Sequence, residues 1–277
     1  MNKTFQTFYP ASKFELENLK AGIDICQNIL NLEPILTSPP QAHNFYAGTT
    51  EERGASFLSA LKSSANLIWA ARGGYGTIEW LDSLGKATKL YRDKTFIGFS
   101  DLTSLHNLFS NEGYSSIHGP MLASQNFLNA SEEELQSLSL CIEQQTQFYE
   151  IRNGKILSGR LVGGNLSVLS HCMGTPWQLI LTPGDILFLE DINEAPYALA
   201  RSLKQLSYSP HFNDCHILWG QLTNCGQSKE EKLINMIMEP YTNSWSFGLR
   251  CGHDLPNYSI RLGTEVKLTR NQLAQSF

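Results

Sequence analysis

The chain has 277 residues, of which 42% are hydrophobic and 17% charged. That supply of apolar side chains fills one large core or two ordinary ones, and it excludes a mainly disordered chain. A formal net charge of -5, with lysines and arginines scattered singly, excludes the basic surface that nucleic acids and anionic membranes demand.

Thr4 to Phe8 reads as a short strand. A helix follows from Phe14 to Leu32, in which Leu16, Leu19, Ile23, Cys26, Ile29 and Leu30 recur near the helical period. Pro34 to Thr37 gives a second strand, and Thr50 to Ser63 a second helix opened by Thr50-Glu51-Glu52. Asn66 to Ala71 is an apolar run of the kind expected for a strand covered on both faces. Ile78 to Leu84 is expected to be helical, Thr95 to Gly98 a buried strand, and Leu102 to Phe109 a helix. Repeated strand–helix units predict a parallel sheet with helices on both sides.

The pattern then changes. Ser131 and Glu134 make a capping box for a helix to about Ile142. Phe148 to Arg152 and Lys155 to Leu157 flank Asn153-Gly154, a hairpin signal. Gly184-Asp185 precedes a strand from Ile186 to Glu190. Ser244 to Arg250 alternates, with Trp245, Phe247 and Leu249 on one face, and Ser259 to Leu268 is strand-like again. The second half is therefore strand-rich and mixed. The expected division is a first domain over 1–130, a linker region over 131–150 and a β-rich domain over 151–277. No apolar stretch reads as a signal peptide or a membrane span, so a cytoplasmic location is the expectation. The dispersed Cys26, Cys141, Cys172, Cys215, Cys225 and Cys251 suit reduced, mostly buried thiols rather than a disulfide framework.

Ser100 is the most informative residue for chemistry. In Phe96-Ile97-Gly98-Phe99-Ser100-Asp101 a buried strand turns directly into a helix, which presents the serine at the carboxyl edge of the sheet. The helix N–H groups, that of Asp101 above all, are placed to stabilise an oxyanion. The segment lacks the final glycine of G-x-S-x-G, and a Ser/Asp helix cap is the simpler reading of it alone. Arg72-Gly73-Gly74-Tyr75-Gly76 lets a ligand approach the backbone and could cradle a phosphate or an oxyanion. It matches no nucleotide-binding pattern, and a structural turn explains it as readily.

A serine needs a base. His253 lies on a loop after the alternating strand, a suitable place for one. His106 falls in the helix after Ser100, His118 precedes Gly119-Pro120, and His171 has a helical context. His211, Asp214, Cys215 and His216 form a loose cluster that fits no standard metal spacing. The orienting acid is Glu190, Asp191 or Glu194, at the end of a buried strand where an unpartnered carboxylate is costly. Spacing alone does not choose among them.

Several segments then recur together: Arg72 to Gly76, Ile97 to Thr103, His118-Gly119-Pro120, Gly163 to Ser167, Gly174-Thr175-Pro176, Ile186 to Asp191, Pro196-Tyr197 with Arg201, and Gly252-His253 leading into Leu262-Gly263. In these the chain resembles the LD-carboxypeptidases (muramoyltetrapeptide carboxypeptidases), a serine-peptidase family that includes microcin C self-immunity hydrolases. The resemblance implies an α/β fold, with an N-terminal Rossmann-like parallel-sheet domain followed by a smaller, β-rich mixed C-terminal domain. It implies Ser100 as nucleophile, Glu190 as orienting acid and His253 as base, with an oxyanion hole from the N–H groups of Asp101 and Gly74. It implies no metal or organic cofactor. The substrate it implies is a murein tetrapeptide, cut to release D-alanine in cell-wall recycling, and a homodimer is a further expectation. Arg72 and Arg201 are candidates to hold the free carboxylate. Ala200 replaces a common aspartate, Asp254 replaces a usual glycine, and Phe8 to Ser12 matches the family's opening turn only loosely. These departures bear on pocket shape. Two rivals stand beside this reading. One is an immunity-type hydrolase of peptidyl or aminoacyl adenylate analogues, with Trp177 or Trp245 as an aromatic shelf; the other is a catalytically silent peptide-binding protein.

Overall fold

The computed structural model describes residues 3–84 and 93–277. Strands β1 (Thr4–Phe8), β2 (Glu33–Ile35), β3 (Leu67–Ala70), β4 (Thr95–Gly98) and β5 (Ser116–His118) pair in parallel in the order β5-β4-β3-β1-β2. Between them run helices α1 (Leu16–Asn28), α2 (Thr50–Lys62) and α3 (Thr103–Asn111). Side chains of a strand alternate between faces. Leu67 and Trp69 of β3 therefore join Phe5, Ile97 and the α1 residues Leu19 and Cys26. Ile68 and Ala70 point the other way, to Phe8, Phe96, Phe57 of α2 and Phe109 of α3. Both faces are covered, which is why Leu67 to Ala70 reads as an unbroken apolar run.

Ile78 to Leu84 departs from expectation. It forms two 3-10 turns, Thr77–Glu79 and Leu81–Leu84, rather than an α-helix. A 3-10 turn eclipses positions three apart, so Thr77 with Trp80 and Leu81 with Leu84 all face inward and are buried. The Trp80 indole N–H donates to Pro10 O at 2.8 Å, fixing the segment to the end of β1.

Beyond β5 come α4 (Gln125–Leu128) and α5 (Glu132–Glu143), the latter opened by the expected Ser131–Glu134 capping box. The second sheet follows with β6 (Gln147–Glu150), β7 (Leu157–Asn165), β8 (Ile186–Ile192), β9 (His216–Thr223) and β10 (Trp245–Ser246). Its run β7-β8-β9-β10 is parallel, and α6 (Leu166–His171), α7 (Pro196–Leu206) and α8 (Glu230–Met238) lie between its strands. Leu199 and Leu203 of α7 and Ile234 and Ile237 of α8 pack on Leu187, Leu189 and Trp219. Among the described residues no helix is long and apolar enough to cross a membrane.

The last strands are β11 (Ile260–Leu262), β12 (Thr264–Leu268) and β13 (Gln272–Gln275). Three expectations are corrected in this half of the chain. Ser259 to Leu268 is not one strand: Gly263, at φ +77°, lets β11 join the first sheet antiparallel to β5 while β12 joins the second. The Asn153-Gly154 turn exists, with Asn153 at φ +56°, but its flanking strands do not pair as a hairpin. Instead β12 and β13 insert between them, giving β7-β12-β13-β6. A lone two-stranded ribbon is marginal, and the long-range ladders win. Ser244 to Arg250 is strand only at β10, because Gly248 at φ +87° bends the chain away.

Candidate active site

The chain leaves β3 and β4 side by side, at the carboxyl edge of the first sheet. From β4 it enters Ser100 at φ +65°, a left-handed conformation costly for a residue with a Cβ. Ser100 is half-buried and starts a 3-10 turn, Ser100–Leu102, that runs into α3. Thr103 closes the turn, its hydroxyl donating to Ser100 O at 2.8 Å. The buried Asp101 carboxylate accepts from Thr77 N at 3.0 Å and from Thr77 Oγ1 at 2.7 Å. Burial raises its pKa against those hydrogen bonds. Asp101 thus ties the serine turn to the residue that ends the glycine-rich segment.

That segment needs its glycines. Gly76 has φ +121°, and a Cβ there would meet Arg53 Nη1 at 2.2 Å. Gly74 has φ +108°, and a Cβ there would meet Ser12 Oγ at 2.2 Å. Ser12 Oγ in turn accepts from Tyr75 N at 3.3 Å. Thr77 and Ser12 are supporting residues that sequence reasoning missed, because their partners lie far away in the chain.

Glu190 lies in β8 with its side chain fully buried. Opposite it, β9 carries an extra residue: Leu189 pairs with Trp219, whereas Asp191 pairs with Leu222. Such bulges re-aim side chains beside active sites. Glu190 Oε2 lies 2.8 Å from His253 Nδ1, so the carboxylate engages that side of the imidazole and not Nε2. Burial pushes the Glu190 carboxyl up, but the charge and hydrogen bond of His253, with His118 beyond, hold it down at about 2. For His253 burial acts downward, and the Glu190 carboxylate outweighs it, so the ring's pKa is raised.

The other two carboxylates have different surroundings. Asp191 accepts from Asn165 Nδ2 at 2.9 Å, Ser167 N at 2.9 Å and Ser167 Oγ at 2.8 Å. Its oxygens fasten β8 to the start of α6. Glu194 lies past the strand end, after Asn193 at φ +59°.

The His253 loop is held by β9 and α4. Asp254 N donates to Gln221 Oε1 at 3.2 Å, and Gln221 Nε2 donates to Pro256 O at 3.1 Å. Asn126 of α4 donates to His253 O at 2.9 Å. The His253 ring packs on Phe99, immediately before Ser100, at 4.8 Å between centroids. A second splice is Asn165 N, which donates to Thr103 Oγ1 at 2.9 Å. The same hydroxyl therefore touches the serine turn and the second sheet.

Other expected residues lie apart or are occupied. Arg72 is exposed at the start of the glycine-rich segment, and Arg201 is exposed on α7, its guanidinium 5.8 Å from the Tyr197 ring. His106 is buried between Ser116 Oγ at 2.7 Å and Gly98 O at 2.9 Å, and burial drives its pKa down to about 3. His211 pairs with Asp214, while both His216 nitrogens face serine hydroxyls, of Ser244 and Ser246. The loose metal-like cluster therefore does not converge. Trp177 and Trp245 are partly buried against the apolar cores. All six cysteines are free and buried.

Comparison with known proteins extends these findings. The LD-carboxypeptidase N-terminal domain matches residues 7–119, and the LD-carboxypeptidase C-terminal domain matches residues 158–268. Over 244 residues the chain is 31% identical to a Bacillus subtilis protein named "Probable murein peptide carboxypeptidase", covering 82% of this chain and 76% of that one. It is 29% identical over 250 residues to the murein tetrapeptide carboxypeptidase of Pseudomonas aeruginosa, covering 83% and 81%. The crystal structure of a muramoyltetrapeptide carboxypeptidase from Oxalobacter formigenes has the same fold, with a TM-score of 0.90 at 24% identity over 99% of each chain. Fold and matched domains together define a serine peptidase on an α/β scaffold. The chain belongs to the LD-carboxypeptidase family and is a carboxypeptidase.

Proposed function

We propose that this enzyme releases the terminal D-alanine from murein tetrapeptides, with Ser100, Glu190 and His253 as its catalytic triad. The observation that carries the reading is the 2.8 Å bond between His253 Nδ1 and the buried Glu190, on a ring packed against the residue before Ser100. Glu190 holds the imidazole with Nε2 free, and His253 takes the Ser100 proton as the hydroxyl oxygen attacks the carbonyl before D-alanine. The N–H groups of Asp101 and Gly74 receive the oxyanion. His253 then protonates the leaving amine, and water resolves the acyl-enzyme. The murein substrate is supported by the names of the relatives in Bacillus subtilis and Pseudomonas aeruginosa. Arg72 and Arg201 remain the candidates for the substrate carboxylate. We read the enzyme as cytoplasmic and homodimeric, serving cell-wall recycling, with its nucleophile from the first domain and its acid and base from the second.

The test is D-alanine release from purified murein tetrapeptide, followed by mass spectrometry for wild type and Ser100→Ala. Wild-type release with a loss on the order of 10^4-fold in the variant is expected. Equal release by both proteins removes Ser100 as nucleophile.

A further inference from the structure

The triad uses one oxygen of Glu190, and the other faces a second histidine. His118 ends β5 with its side chain fully buried. Its Nε2 lies 3.9 Å from Glu190 Oε1, which is ion-pair range but beyond hydrogen-bond length. Neither atom has another polar partner among the described residues. On the opposite side of the ring, Nδ1 lies 3.3 Å from Cys251 Sγ. The ring is wedged edge-on to Phe188 at 5.1 Å and against Phe99 at 5.5 Å. A row of polar groups, with one gap of 3.9 Å between His118 and Glu190, thus runs Cys251–His118–Glu190–His253 through otherwise apolar packing.

Chemistry sets the protons along this row. A thiol has one proton to give, and burial raises the Cys251 pKa far enough to keep that proton in place. Donated to Nδ1, it leaves the ring proton on Nε2, facing Glu190. A fully buried carboxylate with one unpaired oxygen is costly, so an N–H aimed at that oxygen has a definite use. Apo distances of this kind shorten when a site closes on its substrate.

We propose that His118 is a positioning residue: an imidazole whose Nε2–H is directed at Glu190 Oε1, balancing the carboxylate between two histidines. This rests on the triad reading above. With His118 present, part of the Glu190 charge is spent on its N–H. Without it, Glu190 binds the His253 proton more tightly, and His253 is neutral only at higher pH. The other titratable groups around the pair are His106 beside the His118 ring, Cys251 with Tyr149 and Cys141 behind it, and Asp191 and Asp254 near His253. None of them offers a donor hydrogen to Oε1.

The experiment is the pH profile of kcat/KM for D-alanine release by wild type, His118→Phe and His118→Gln. The phenylalanine keeps the ring volume and has no donor, and its acid limb is expected to move up by about one pH unit, a tenfold change in proton affinity. The glutamine amide returns an N–H near the Nε2 position, so its limb is expected back near the wild-type position. A folded His118→Phe enzyme that is merely slower, with an unmoved limb, overturns the proposal. Nitrogen NMR of histidine-labelled wild type needs no variant to fold, and is expected to show His118 protonated on Nε2. The opposite tautomer also overturns it. Full D-alanine release by His253→Gln overturns it by a separate route, because the triad reading itself then falls.

Discussion

Thr103 joins the serine turn to the second sheet through one hydroxyl, and Thr103→Val tests that joint. The hydroxyl of the fully buried Thr103 accepts from Asn165 N at 2.9 Å and donates to Ser100 O at 2.8 Å. Valine keeps the volume and leaves the Asn165 N–H without an acceptor, a loss of about 1–3 kcal/mol. Ser100 O keeps the backbone N–H of Thr103, so its loss is smaller. A methyl carbon cannot sit at hydrogen-bond distance from an amide nitrogen, so β7 must retreat. Its Gly164 already lies close enough that a Cβ there would meet Thr103 Oγ1 at 2.6 Å. That overpacking adds about 1 kcal/mol, for a total near 2–4 kcal/mol. Thr103→Ser, by contrast, keeps both hydrogen bonds and loses a buried methyl, about 1 kcal/mol. Urea unfolding of the three proteins at unchanged m-value gives the order directly. D-alanine release should fall further for valine than for serine, because the Ser100 turn moves with β7. If Thr103→Val is at least as stable as Thr103→Ser, the hydrogen-bond account of this joint is wrong.

Glu190→Gln keeps shape and removes charge, and is expected to lower kcat/KM on the order of 10^4-fold. Its acid limb should move to lower pH, since burial is then opposed only by the lesser pull of Asp191 and Asp254 on His253; a limb at the wild-type position contradicts this. The same pair links stability to pH. The Glu190 contribution is present above its ordinary 4.5 and is lost as pH falls toward about 2, while that of His253 is complete below 6.5 and is lost as pH rises through its raised value. The stability gap between wild type and Glu190→Gln should therefore be widest between those limits, and a gap constant with pH counts against the pair. Gly74→Ala must strain φ +108° and displace Ser12, and should lower kcat by roughly 10–100-fold with a stability loss of about 1–3 kcal/mol. Gly113→Ala, at φ +75° with open space around it, is the control and should leave kcat unchanged.

Much of the first sheet was legible in the sequence because its signals are local. β1 and β4 fall on the residues read as strands, and the Ser131–Glu134 capping box opens α5 as read. Two of the failures share one physical cause, which is pairing decided far along the chain. Asn153-Gly154 carries a good turn signal, yet β13 and β12 arrive from the carboxyl end and take the neighbouring strands. Gly263 is one residue in a strand-like stretch, and nothing near it reveals that β11 and β12 serve different sheets.

The choice among Glu190, Asp191 and Glu194 shows the same limit at the scale of single atoms. Adjacent residues on a strand point to opposite faces, so Glu190 and Asp191 cannot both reach one histidine. Which of them does depends on the face that meets the His253 loop. That is set by the extra residue in β9 opposite Glu190 and by Gln221, which holds the loop. Asp191, on the other face, is consumed by Asn165 and Ser167 at the start of α6. Two carboxylates with equal claims in the sequence thus have separate tasks: one holds an imidazole, and the other holds the strand that presents it. Removing the Asp191 carboxylate should loosen β8 and lower stability, whereas removing that of Glu190 should act first on the pH profile.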